Sequence, residues 1–105
     1  AANNCALTLL NYQRFEETKS LLRPVIPVAR RVLRDDQVTL RMRSIYAMAL
    51  YSDAGATLDD LNEAVTTLEE MEPTARRVLG GTHPLTTGIE RALRRARAAL
   101  KARKE

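Results

Sequence analysis

The chain has a single cysteine, a single histidine, one phenylalanine and no tryptophan among its 105 residues. Each scarcity excludes something. A lone Cys5 cannot close an intrachain disulfide, which favours a reducing, cytoplasmic setting, and its expected place is that of a small buried hydrophobe. One histidine makes neither a metal site nor a base with an obvious partner: His83 sits in "THPL" at a helix start, where turn and capping roles are ordinary, and no metal or cofactor is expected. Neither G-x-G-x-x-G nor G-x-x-x-x-G-K-[ST] occurs, which removes the phosphate loops. An enzymatic role is therefore not expected.

Aromatics are 4% of the chain while hydrophobic residues are 45%, so the core must be built from Leu, Ala, Val, Ile and Met, a mixture with strong helix propensity. Four glycines and four prolines are too few turn residues for many short strands. No apolar run approaches the roughly 20 residues of a membrane span. The expected class is all-α. The chain starts at Ala1 without Met, and the expectation is a piece of a longer array whose targeting signals lie outside it.

What is present is a repeat. "ARRVL" stands at Ala29–Leu33 and again at Ala75–Leu79, 46 positions on. At the same offset Pro27 matches Pro73, Leu22 matches Leu68, Glu17 matches Glu63, and Phe15 faces Leu61. Downstream, "VLRDDQVTL" faces "VLGGTHPLTT" in register once one residue is left out after Leu33. Flanks that agree make this an internal repeat.

Each unit reads as two helices. Asp36 is the expected N-cap of a helix whose apolar positions Val38, Met42, Ile45, Met48 and Ala49 recur at helical spacing. Gly55 interrupts; Thr57, three residues before Asp60, opens the next helix with a capping-box pattern. Leu58, Leu61, Val65, Leu68, Met71 and Val78 give that helix an apolar face, and Gly80–Gly81 stop it. The first unit is truncated, with "NNCALTLLNYQ" as the end of one helix and "RFEETKSLLRPVIPVARRVLR" as the next. A last helix has Pro84 in its first turn. The sum is five helices: a truncated repeat over 1–34, a second over 35–80, and a capping helix over 81–105. Pro24, Pro27 and Pro73 fall inside these helices, which either kink there or split into shorter ones; the retained Pro27/Pro73 pair favours a shared kink.

Several of these stretches resemble tetratricopeptide repeats of the kinesin-light-chain type. That family has a helix-A stretch like "NNLA", a turn like "GRYEEA" and a closing "VLG..HP.TL". Here "NNCA" at Asn3–Ala6, "YQRFEET" at Tyr12–Thr18 and "VLGGTHPLT" at Val78–Thr86 are similar, with "VLRDDQVTL" a looser counterpart. The resemblance implies an α-α superhelix of antiparallel helix pairs, about two and a half units, acting as a protein–protein interaction scaffold. It implies that the first helix of each pair lines a concave groove for a peptide or partner helix. Asn3 and Asn4 match the family's groove asparagines, which commonly touch the peptide backbone; the aligned positions further on hold Ser44 and Ile45, then Arg91 and Ala92. The groove candidates are Asn3, Asn4, Arg41, Ser44, Met48, Tyr51 and, at the far edge, Arg91. A peptide with acidic residues would suit Arg41 and Arg91.

Charge falls in blocks of +4, −5 and +5 over residues 1–51, 52–80 and 81–105. Antiparallel packing of the last two helices explains this best, with Arg91 and Arg94 near Glu69 to Glu72. The alternatives are an acidic protein partner or nucleic acid on the basic helix, through Arg94, Arg95, Arg97 and Lys101, and a structural subunit docked into a larger assembly. Nucleic acid is disfavoured, because no aromatics are interleaved for stacking and no reader motif is present.

Overall fold

The computed structural model describes residues 2–105. Ala1, at the start of the expected truncated unit, lies outside the described residues. The fold is all-α, with six helices among the described residues: α1 (Ala2–Asn11), α2 (Phe15–Leu22), α3 (Val25–Val32), α4 (Gln37–Ser52), α5 (Leu58–Leu79) and α6 (Pro84–Lys104).

The sixth helix corrects the expected five. The stretch from Phe15 to Val32 splits at Arg23–Pro24 instead of kinking as one helix. Pro24 cannot donate a backbone hydrogen bond to the preceding turn, and Pro27, three residues on, cannot either. Pro27 falls in the first turn of α3, where a missing N–H costs nothing, whereas Pro73 lies inside α5, which runs unbroken for 22 residues. The repeat partner of Pro24 is Glu70, so only the first copy carries the breaking pair.

The helix starts are set locally. Asp36 accepts from the Val38 N–H at 2.9 Å at the head of α4. At α6 the cap is His83, whose Nδ1 accepts from the Leu85 N–H at 3.0 Å, with Pro84 in the first turn. The start of α5 is a complete capping box: the Asp60 N–H donates to Thr57 Oγ1 and the Thr57 N–H to Asp60 Oδ2, each at 3.1 Å. That Thr57 bond is the main cause holding the Asp60 carboxyl below its ordinary value of 3.8. A depressed folded-state pKa contributes stability above the unfolded value, lost as pH falls through the folded one. Asp60→Ala is expected to cost about 0.5–2 kcal/mol near neutral pH. In urea melts its gap to the parent should hold from about pH 7 to 5 and close as the pH falls below the ordinary carboxylate range. A gap that persists in acid would assign the loss to helix propensity instead of the carboxylate.

α4 packs against each of the other five helices. A helix surrounded this way is buried on several faces, and ten of its residues, Thr39, Arg43 and Ser44 among them, are buried. The α5–α6 packing is the most extensive, and it is antiparallel: Arg97 bonds Glu69 at 2.8 Å while Arg76 bonds Glu90 at 2.8 Å. Arg97, not Arg91 or Arg94, therefore meets the acidic block. The α5 core face is Leu61, Ala64, Leu68, Met71 and Ala75, while Leu58 and Val78 at its ends are over two-fifths exposed. Cys5 is exposed, against the expectation of burial, because the buried side of α1 runs through Ala6 and Leu10.

The repeat seen in the letters is also a repeat of contacts. Thr39 Oγ1 donates to the Ala29 carbonyl at 3.4 Å, and Thr86 Oγ1 to the Ala75 carbonyl at 3.3 Å, both buried. Ala29/Ala75 and Thr39/Thr86 are the aligned residues of the two copies, so each "ARRVL" helix is tied to the next helix through the same bond.

Candidate functional site

Three helices frame a cleft of 290 Å³. From α4 come Arg41, Ser44, Ile45, Met48 and Tyr51, spaced three or four apart so that they form one stripe. From α6 come Pro84, Leu85, Gly88, Arg91, Ala92 and Arg95, spaced likewise, and α1 contributes Leu7. The floor is apolar, from Leu7, Ile45, Met48, Leu85 and Ala92. Three arginines, Arg41, Arg91 and Arg95, line it, and among the described residues no carboxylate does. Burial pushes the Tyr51 phenol above its ordinary value while the Arg95 guanidinium pulls against it, which leaves a neutral hydroxyl next to a cation.

Gly88 lines the cleft without a backbone reason for being glycine: its φ is not positive, and an added Cβ would meet nothing within 4 Å. Glycine inside a helix costs about 0.5–1 kcal/mol relative to alanine. What its missing side chain leaves is open space along the cleft.

The structure brings Arg41, Ser44, Met48, Tyr51 and Arg91 together in this cleft. Asn3 and Asn4 are not among its lining residues. Asn3 instead donates from Nδ2 to the Val38 carbonyl at 3.3 Å, tying α1 to the start of α4, and its buried Oδ1 meets no partner among the described residues. Asn4 is exposed. The basic-helix candidates divide: Arg95 faces the cleft, Arg97 is spent on Glu69, and Arg94 and Lys101 are exposed on the outer side. Leu7, Leu85 and Gly88 were not anticipated. Leu7 follows Asn3 by one helical turn and is the repeat-aligned partner of Met48, a signal present in the sequence.

Among the described residues no three His, Cys, Asp or Glu side chains gather as a metal-binding group, and no helix is long and apolar enough to cross a membrane. A scan against protein-family models, a search of curated proteins and a search of solved structures each found no match to this chain.

Proposed function

We propose that the chain is a helical-repeat scaffold of the kinesin-light-chain-like tetratricopeptide type, and that the α1–α4–α6 cleft binds an acidic segment of a protein partner. One observation carries the reading: three arginines and a neutral phenol surround an apolar floor, and among the described residues no carboxylate lines the cleft. Such a site attracts a segment with one or two apolar side chains for the floor and Asp or Glu on either side. The aligned bonds Thr39–Ala29 and Thr86–Ala75 support the repeat reading, as does the packing of α6 on α4 and α5. On this reading no cofactor is needed, and the exposed thiol of Cys5 accords with a reducing, cytoplasmic setting.

A peptide-display selection on the whole chain tests it. The expected consensus places Asp or Glu around an apolar residue, and the selected peptide should shift the amide signals of Ser44, Met48 and Gly88. A basic or charge-free consensus would sink the acidic assignment, and shifts confined to the Arg94 and Lys101 side of α6 would move the site to the outer surface.

A second reading, permanent docking into a larger assembly, draws on the outer face of α3, where Val28 and Val32 are 47% and 67% exposed. Insolubility of the isolated chain, cured by one co-expressed subunit, would favour it.

A further inference from the structure

The two copies of the repeat differ most at one charged cluster. In the second copy Arg76 bonds two carboxylates, Glu72 at 2.6 Å and Glu90 at 2.8 Å. Their aligned partners in the first copy are Arg30 for Arg76, Ile26 for Glu72 and Arg43 for Glu90. Both carboxylates are thus gone, one replaced by an apolar residue and the other by a second arginine.

Arg30, Ile26 and Arg43 line a cleft of 250 Å³ together with Arg23. It lies on the reverse side of α4 from the peptide groove, because Arg43 and Tyr46 are about half a turn from Ser44, Met48 and Arg41 on a helix of 3.6 residues per turn. Arg43 is buried there, with 9% of its side chain exposed. The one carboxylate within 4.0 Å of it among the described residues is Glu70, at 3.7 Å and itself 63% exposed, too far for a hydrogen bond. A largely buried guanidinium carries a desolvation cost that a facing anion offsets. Glu63, the other carboxylate of the cleft, is already engaged: Tyr46 donates its hydroxyl to Glu63 at 3.1 Å and accepts from Arg23 at 3.3 Å. Arg30 and Arg43 thus share the cleft with two carboxylates, Glu63, which is bonded to Tyr46, and Glu70, which is largely exposed, and with a third guanidinium, Arg23. Burial first, and Arg30 second, push Arg43 below the ordinary guanidinium value, against the smaller opposite pull of Glu70 and Asp35.

We infer that this cleft is a site for a small phosphate-type oxyanion, held by Arg43 and Arg30 in the place that two carboxylates occupy in the second copy. The occupant is of phosphate type because planar guanidinium forks match phosphate oxygens. This inference stands apart from the peptide groove, since it uses another face of α4 and none of the groove residues.

The test is a titration with inorganic phosphate at ionic strength held constant with chloride, followed by Arg side-chain Nε signals and by Tm. The expected result is saturable shifts at Arg30 and Arg43, strengthening as pH rises through the second ionisation of phosphate. Arg43→Met should weaken the response about tenfold or more while leaving the fold at least as stable, since it removes a buried, poorly paired charge. Arg30→Glu, an exposed change, restores an opposite-charge pair like that of the second copy; it should raise Tm without phosphate and abolish the phosphate response. A response equal to that of chloride, or one surviving unchanged in both variants, would overturn the proposal. A parallel titration with phosphoserine separates the sources: tighter binding than inorganic phosphate marks an esterified ligand, equal or weaker binding the free anion.

Discussion

Against an acidic peptide taken from the display selection, the double substitution Arg41→Glu/Arg91→Glu is expected to weaken binding by roughly 30–150-fold. Exposed opposite-charge pairs contribute about 0–1 kcal/mol each, and reversing a charge adds a comparable repulsion. With each of the four contributions at about 0.5–0.75 kcal/mol, within that range, two reversals amount to about 2–3 kcal/mol, which is that fold-change in Kd. Both arginines are exposed, so helicity should be unchanged. The loss should shrink between about 0.1 and 1 M salt, where the Debye length falls from about 10 to 3 Å. Arg94→Glu/Lys101→Glu makes the same change in net charge outside the cleft and should cost less than about threefold. An equal loss in that control would mean the peptide responds to overall charge, and the groove assignment would fail. Gly88→Leu supplies a steric arm that leaves charge alone. Its side chain enters the open space along the cleft, so it should block the peptide while helicity is kept.

The largest stability effect is expected from Leu68→Ala. Leu68 is fully buried in the middle of α5, on the stripe with Ala64, Met71 and Ala75 that forms part of the common core. Its neighbours along that stripe are mostly alanines and cannot swing in to fill the space. The expected cost is about 2–5 kcal/mol, the sum of lost transfer energy and a residual cavity. A domain of this size is held by about 5–15 kcal/mol in all, so the variant should melt roughly 10–20 °C lower. Leu58→Ala, at the exposed start of the same helix, should cost less than about 1 kcal/mol. If the two variants melted alike, α5 would not be packed as described.

What could be read from the letters was whatever depends on neighbours a few residues apart. Asp36, the Thr57–Asp60 box and Pro84 mark helix starts because a cap is a contact between positions two or three apart. Arg41, Ser44, Met48 and Tyr51 could be assigned to one face because 3.6 residues per turn puts them there. The internal repeat likewise announced that two "ARRVL" helices would have equivalent surroundings, which the paired threonine bonds display. The prolines were less legible: a lone mid-helix Pro73 is carried inside an unbroken α5, while Pro24 followed by Pro27 separates α2 from α3, and packing decides how much backbone disruption is tolerated.

The alternation of charge along the chain indicated that the last two helices run antiparallel, yet the pairing of Arg97 with Glu69 needed the register, and register is set by how Leu68, Ile89 and their neighbours interlock. Only tertiary structure showed that faces of α1, α4 and α6 close on one cleft, because three helices far apart in sequence must meet to form it. The same holds for Arg43, one arginine among many in the sequence. It is buried and poorly paired only because α3 and α5 cover the side of α4 on which it stands. By itself, then, the sequence determined helix class, the starts of α4, α5 and α6, and the repeat, all of which follow from local geometry. Burial, partner choice and the shape of both clefts were decided by packing, since desolvation and charge pairing depend on which distant surfaces arrive beside a side chain.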